Sequence, residues 1–150
     1  VIFWDADIVG EPEMIAKMVN KLEQNPDKDF VYCNYYFGYK KMPAQEFNLS
    51  TLQKNNYIHS TSLVRREAVI KWDESLKRFQ DWDFWLTLSE TGKQGIWLDE
   101  YLFKIISKGT MSSWLPSFAY QKPWKWLPGI KNRVKKYEIA KKIIYKKHSI

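Results

Sequence analysis

Apolar residues in this chain recur with the two periods of regular secondary structure. The unbroken apolar run Val1–Trp4 is typical of a strand buried on both faces. The segment Glu11-Pro12-Glu13 has proline at a helix start, and the apolar residues after it recur at helical spacing as far as Leu22. Residues 30–37 are rich in strand-forming side chains. The pattern therefore predicts a strand–helix–strand unit with a right-handed crossover.

The rest of the pattern predicts shorter elements. Residues 38–54 show no sustained period and are predicted to form a loop, whereas Leu63 to Trp72 is predicted to form a short helix. Residues 81–91 have a broad apolar side and end before Gly92, which is typical of a helix and its stop. Residues 94–106 give two short strand-like runs. Together with the first unit, these elements indicate an α/β domain.

Two acidic residues follow the opening apolar run directly. Asp5 and Asp7 are one residue apart, and alternate side chains at the end of a strand share a face. Two converging carboxylates at the carboxyl end of a buried strand suit a hard divalent cation that carries phosphate oxygens. The alternative is a polar turn, because Asp is a common turn residue.

A second pair of acidic residues lies at the start of the predicted helix 81–91. Asp81 and Asp83 in its first turn suit helix capping and compensation of the helix dipole. A carboxylate fixed at a rigid helix start among bulky aromatic residues would also make a well-positioned general base. His59 lies in a polar stretch and is either a hydrogen-bonded loop histidine or a ligand or base.

The net charge of +7 is unevenly distributed along the chain. Residues 121–150 contain ten Lys and Arg residues against one acidic residue, Glu138, so the rest of the chain is mildly acidic. The single Cys33 leaves no partner for an internal disulfide and indicates a buried free thiol. No apolar run approaches the length of a membrane span. Because the chain opens inside an apolar run without an initiator Met, we expect an upstream part to precede it.

Four motifs follow one another between residues 1 and 113. They are the Asp-x-Asp run with its Glu-Pro-Glu helix, the polar stretch Asn56 to Ser62 leading into Leu63–Glu67, the block from Asp73–Leu76 to Gln80–Leu86, and the Ser-rich element Ser107–Ser113. In this order they resemble family 2 glycosyltransferases with the GT-A fold, whose Glu-Asp-Trp-Asp-Leu-Trp-Leu segment is similar to the third motif. Residues 1–113 would then be the C-terminal half of a GT-A domain.

The resemblance implies a partial GT-A, Rossmann-like mixed sheet flanked by helices. It implies that Asp7 ligates Mn²⁺ or Mg²⁺ bridging the diphosphate of a nucleotide-sugar, with Asp5 at the ribose or at a metal-bound water. Asp81 would take the proton from the acceptor hydroxyl in a single displacement that inverts the anomeric configuration. The acceptor, a glycan or a lipid-linked glycan of bacterial surface polysaccharide or glycolipid synthesis, would meet Trp82, Asp83, Trp85 and His59. For the two tryptophans, a core role is equally open.

The chain departs from the family's pattern in three places. Gln80 stands where the family usually has Glu, which removes a charge beside Asp81. The Ser-rich element has no His, so a third metal ligand is missing or comes from elsewhere. The half of the domain that grips the nucleotide base lies outside this chain, and we expect the chain to be inactive by itself. The alternative function is a catalytically inactive glycosyltransferase-like module that binds carbohydrate or serves as a scaffold.

Residues 114–150 form an aromatic and basic C-terminal extension. Residues 129–147 are predicted to form a helix with one apolar stripe, which consists of Ile130, Val134, Tyr137, Ala140 and Ile144. A basic amphipathic helix after Trp and Tyr residues suits peripheral binding of residues 121–150 to anionic lipid, and the alternative is a stripe that packs on the domain. Nucleic acid is not an expected partner, because the acidic body offers it no surface. We expect a cytoplasmic protein, peripheral at the inner face of the plasma membrane.

Overall fold

The computed structural model of the protein describes residues 1–106 and 130–150, and this part of the chain has a mixed sheet of five strands flanked by helices. The strands are β1 (Ile8–Gly10), β2 (Phe30–Phe37), β3 (Lys40–Met42), β4 (Leu63–Val64) and β5 (Gly95–Ile105). The helices are α1 (Met14–Glu23), α2 (Leu49–Lys54), α3 (Gln80–Glu90) and α4 (Ile130–Lys147), with a 3-10 turn at Arg66–Ala68. The predicted α/β class is confirmed, and the architecture is consistent with a partial Rossmann-like fold.

The strand β2 lies at the centre of the sheet. Along one edge it pairs in parallel with β5, from Phe30 opposite Gly95 to Phe37 opposite Ile105. The other edge of β5 pairs antiparallel with β1. The strands β3 and β4 pair antiparallel with β2, each at a different end of it. The strand order is therefore β1-β5-β2-β3, with β4 beside the start of β2.

The opening run Val1–Trp4 is not the buried strand that its sequence predicts. Ile2 forms one antiparallel bridge to Leu63, and the backbone of Val1 exchanges two hydrogen bonds with that of Val64, while Phe3 and Trp4 lie beyond this short pairing. Val1 is 47% exposed and Trp4 is 45% exposed. The reason is that β4, the only described strand that the run meets, is two residues long and cannot extend the pairing. The first strand of the α1 unit is β1, which runs antiparallel to β2, so the predicted crossover between parallel strands is wrong for these two strands.

Residues 38–54, predicted to be a loop, contain β3 and α2. Gly38 has a φ of +60°, which allows the tight turn between β2 and β3. The helix α2 is only six residues long, which is too short to show a period. Its N-cap is Asn48, whose side chain accepts a hydrogen bond from the N–H of Thr51 at 2.9 Å. The local signals for both elements are therefore a glycine and a cap rather than a repeating pattern.

Two further predictions are corrected by strand pairing. Leu63 and Val64, predicted to begin a helix, pair with the start of β2, and only the 3-10 turn follows them. Residues 94–106, predicted to be two short runs, form the single strand β5. The register with β2 shifts on both sides of Asn34: the first shift absorbs Asp99 and Glu100, which interrupt the apolar pattern, and the second absorbs Leu102.

The core lies on both faces of the sheet. The helix α1 covers one face with an apolar cluster, whose buried members are Ile8, Met14, Met18, Leu22, Val31, Cys33, Leu102, Phe103 and Ile105. On the other face Phe30 packs against Trp85 of α3, with ring centroids 4.9 Å apart. The positions of α1, β2 and α3 match their predictions closely, and Cys33 is a buried free thiol as expected.

The chain divides into two compact units. The first comprises Val1–Glu74 and Gln80–Ser107, and the second comprises Ser75–Phe79 and the C-terminal part of the chain. The predicted helix of the extension is α4, and Val134 and Ile144 of its predicted apolar stripe are buried. The predicted boundary at residue 113, the element Ser107–Ser113 and the aromatic residues after it lie outside the described residues. Among the described helices, none has both the length and the apolar character needed to cross a bilayer.

Candidate functional site

Asp5 and Asp7 lie on an exposed turn that joins the extended start of the chain to β1. The N–H of Ile8 donates to the carbonyl of Asp5 at 3.1 Å and closes the turn. The N–H of Ile106, just beyond β5, donates to the carbonyl of Asp7 at 2.8 Å and ties the turn to the sheet. The backbone of both residues thus makes a polar turn, while both carboxylates face solvent and are accessible to a ligand.

Aromatic packing fixes this turn against the domain. The indole N–H of Trp4 donates to the carbonyl four residues later, at 3.3 Å, and the ring covers Gly10 so closely that a Cβ there would collide with it. Phe3 packs edge-on against Phe84, with ring centroids 5.6 Å apart. Phe84 lies one helical turn after Asp81, so this contact relates the acidic turn to the start of α3.

Asp81 is fixed at the start of α3. Its Oδ2 accepts a hydrogen bond from Nδ2 of Asn56 at 2.8 Å, and Oδ1 of Asn56 accepts one from the N–H of Ile58 at 3.1 Å, which sets the orientation of the amide. Burial raises the pKa of Asp81, and the nearby charge of Asp5 adds to the rise. Hydrogen bonds from the backbone N–H groups at the helix start and from Asn56 oppose it. Asp81 is therefore a more basic carboxylate than an ordinary aspartate.

His59 packs its ring against Tyr35 and Phe103, with centroids 4.9 and 5.1 Å away. Its Nδ1 accepts a hydrogen bond from the N–H of Thr61 at 3.0 Å, so the proton of the neutral ring is on Nε2. Burial lowers the pKa of His59 to about 4, although the charge of Asp7 acts in the opposite direction. The residue is thus a hydrogen-bonded, neutral loop histidine, and its contact with an acceptor stays a prediction.

Electrostatic interactions connect the predicted site residues. The charge of Asp5 acts on the ionisation of Asp81, and that of Asp7 acts on His59. Burial raises the pKa of Tyr35 to about 12, and the charge of Asp81 adds to this effect. The structure therefore brings together, in one region of the first unit, two exposed carboxylates on a turn, a third carboxylate at a helix start and a neutral histidine.

The other predicted acceptor residues lie in the core. Trp82, Asp83 and Trp85 are 2%, 3% and 0% exposed. The indole N–H of Trp82 donates to the carbonyl of Leu52 at 2.7 Å, and Trp85 packs on Phe30. These buried side chains pack the domain, which fits the core role left open for the two tryptophans, and the contact of the three residues with an acceptor stays a prediction.

The residues of the turn fit a divalent cation of the kind that nucleotides carry. In residues 1–106 and 130–150, no group of three or more His, Cys, Asp and Glu side chains is arranged to hold a metal ion. Mg²⁺ usually keeps several waters and is bound through one or two carboxylates together with substrate phosphates. The exposed carboxylates of Asp5 and Asp7 are ligands of this type, and cation binding by them stays a prediction.

Two residues of this region were not singled out from the sequence. Asn56 belongs to the polar stretch that the motifs include, but its partner Asp81 lies on another element. Tyr35 was counted among the strand-forming residues of β2. The only available signal was the interrupted polar pattern before Ser62, which does not indicate which side chain reaches the helix.

Comparison with known proteins gives one distant similarity. The chain is 25% identical over 113 residues to an uncharacterized glycosyltransferase of Methanocaldococcus jannaschii, a match that covers 67% of this chain and 39% of the relative. The match supports a glycosyltransferase function. No protein-family model matches the chain. Because the chain spans about two fifths of the relative's length, the activity, substrates and partners of a whole protein remain to be proposed.

Proposed function

We propose that the protein is an inverting, metal-dependent family 2 glycosyltransferase that transfers a sugar from a nucleotide-sugar to a hydroxyl of a glycan or lipid-linked acceptor. The observation that carries this proposal is the packing of Phe3, beside the turn that bears Asp5 and Asp7, on Phe84, one helical turn after Asp81. The charge of Asp5 adds to the raised pKa of Asp81, in agreement with this packing. A base for the acceptor and carboxylates for a nucleotide-bound cation are the two parts that such a transfer needs. The glycosyltransferase similarity and the mixed α/β sheet support the same proposal.

In this proposal Asp81 accepts the proton of the acceptor hydroxyl as its oxygen attacks the anomeric carbon from the face opposite the leaving nucleoside diphosphate. Positioned bases of this kind contribute about 10²- to 10⁴-fold to a rate. Asn56 holds one carboxylate oxygen, so the other oxygen has a fixed direction. The raised pKa makes ionised Asp81 a stronger base, and the helix-start N–H groups keep it ionisable.

Asp7 would ligate Mn²⁺ or Mg²⁺, and Asp5 would contact the ribose or a metal-bound water. When bound, such a cation neutralises charge on the departing nucleoside diphosphate. His59 is neutral and has its Nε2–H to offer, which suits a hydrogen bond to a sugar hydroxyl better than proton transfer at neutral pH.

Cation binding is testable on this chain without a reaction. Mn²⁺ is paramagnetic, so we expect it to broaden the backbone NMR signals of residues 4–8 first, and those of His59 and Asp81 next. Asp7→Asn should remove this broadening, while the matched exposed variant Asp27→Asn should preserve it. Equal broadening in wild type and Asp7→Asn would contradict the cation site and leave the role of Asp81 to be tested separately.

Transfer is tested on the intact protein with nucleotide-sugars and Mn²⁺. Asp7→Ala and Asp81→Asn should each lose transfer while circular dichroism and thermal unfolding stay those of a folded protein. A wild-type rate in Asp81→Asn would remove the base assignment. Binding of a nucleotide-sugar without transfer to any acceptor by the wild type would favour the inactive carbohydrate-binding module instead.

A further inference from the structure

The helix α4 has apolar side chains on two opposite faces. Residues of the buried face include Val134 and Ile144, which are 4% and 0% exposed. On the opposite face, Ile139 and Ile143 are each 49% exposed. Positions 139 and 143 have the helical spacing of i and i+4, so they point in nearly the same direction. The predicted stripe is therefore used for packing, and a second apolar stripe is left at the surface.

The exposed isoleucines are surrounded by positive charge. Residues 130–150 contain eight Lys and Arg residues against one acidic residue, Glu138. Lys135, Lys136, Lys142 and Lys146 are exposed and lie on the same side of the helix as the isoleucines. Within the second unit, a groove of about 740 Å³ lies beside this face, and its lining includes Lys77, Arg78 and Lys136 together with Ile139 and Ile143.

We propose that the exposed face of α4 binds the surface of an anionic lipid bilayer, with Ile139 and Ile143 at the level of the acyl chains and the lysines among the headgroups. This inference is independent of the proposed catalytic function. A bilayer interface takes up apolar and basic side chains from one face of a helix at the same time. A nucleic acid would attract the lysines but gain nothing from the isoleucines, because its outer surface is a charged backbone.

Charge complementarity and the separation of the buried and exposed faces of α4 favour an anionic bilayer as the partner. Each Lys or Arg close to an anionic leaflet contributes about 1 kcal/mol, which is roughly fivefold in binding. Long lysine side chains reach the headgroups while their stems cover apolar surface. Since the buried face keeps its own packing, binding requires no rearrangement of α4.

The first experiment compares sedimentation of the full chain with vesicles of phosphatidylcholine containing 30% phosphatidylglycerol and with pure phosphatidylcholine vesicles. We expect binding to the anionic vesicles only, weakened by added salt. The double variant Ile139→Ser/Ile143→Ser should bind about 10- to 100-fold more weakly, because it loses roughly the burial of one whole isoleucine side chain. The matched variant Ile15→Ser/Val19→Ser changes the exposed apolar residues of α1 and should bind like wild type.

Charge is tested in the same assay. Lys135→Gln/Lys136→Gln should lower binding about 10- to 30-fold at low salt, by the contribution of two lysines. The matched pair Lys40→Gln/Lys41→Gln removes equal charge from β3 and should have less effect. Any of three results would overturn the proposal. They are an equal loss of vesicle binding in both lysine pairs, wild-type binding by the isoleucine variant, and sedimentation with neutral vesicles. So would binding to a single-stranded RNA oligomer with no binding to vesicles.

A local probe keeps the proposal testable if a variant folds poorly. An environment-sensitive fluorophore is attached to Ile143→Cys, or to Glu138→Cys as the matched position off the stripe. Cys33 is buried and should not be labelled. Anionic vesicles should shift the emission of the label at 143 to the blue and leave the label at 138 nearly unchanged. Equal shifts at both positions would contradict insertion of the isoleucine face.

Discussion

Replacing Asn56 by Ala tests the part of the site that depends most on tertiary structure. The amide of Asn56 donates to Oδ2 of Asp81 at 2.8 Å. This hydrogen bond favours the ionised form of Asp81, whereas burial and the charge of Asp5 favour the protonated form. Removing the amide removes a hydrogen bond that favours the ionised form, so the pKa of Asp81 should rise further above its ordinary value.

The expected magnitude follows from the charge on the acceptor. A hydrogen bond to a charged group contributes about 1.5–3 kcal/mol, which corresponds to a factor of roughly 10 to 100 in the ratio of ionised to protonated Asp81. Because the pKa of Asp81 in the folded protein is already raised, stability is lost as pH rises past the ordinary aspartate value. Asn56→Ala should enlarge this loss at pH 7 and have a smaller effect at acid pH, where Asp81 is protonated.

The assay is a pH titration of the Asp81 carboxyl carbon by NMR with a chelator present, together with urea unfolding at pH 7 and at pH 3. The control is Asn55→Ala, which removes the same group from the exposed neighbouring residue. In the intact protein, the acid limb of the proposed transfer activity should move to higher pH in Asn56→Ala. An Asp81 titration that is the same in the two variants would refute the role assigned to this hydrogen bond.

Three further predictions use other contacts. Trp82→Phe and Trp85→Phe remove the same atoms, but only Trp82 has a described hydrogen-bond partner for its indole N–H. Urea unfolding should therefore show Trp82→Phe to be the more destabilising substitution by about 1–3 kcal/mol. Equal losses of stability in the two variants would contradict this. Gly95→Ala places a Cβ against the buried ring of Phe30 and should lower the unfolding free energy by about 1–3 kcal/mol, and an unchanged melting temperature would show that the ring can move. Since the pKa of His59 falls from 6.5 to about 4 on burial, the unfolded chain binds its proton first, and stability should fall as pH drops from 6.5 towards 4. His59→Phe should lose this part of the acid sensitivity, and an unchanged pH dependence would place the effect elsewhere.

The sequence determined the elements whose signals are local and long enough to repeat. The 3.6-residue period of α1 and the strand-forming run of β2 are visible without knowledge of their partners, and both appear at the predicted positions. Asp81 at the start of α3 is a local feature of the same kind, since acids favour a helix start for reasons internal to the helix. The two acids of the turn were also evident, although their strand was placed on the wrong side of them.

The tertiary structure decided the properties that depend on contacts between elements distant in sequence. Leu63 and Val64 are strand residues only because the start of β2 offers them an edge, and the tryptophans of α3 are buried because other elements cover them. Whether the predicted stripe of α4 packs or faces lipid was likewise left open by the sequence, and the burial of Val134 and Ile144 decides for packing. Asn56 and Asp81 meet through folding alone. The physical reason is that periodicity reports the local conformation of the chain, while burial, pKa and hydrogen-bond partners depend on neighbours that are distant in sequence.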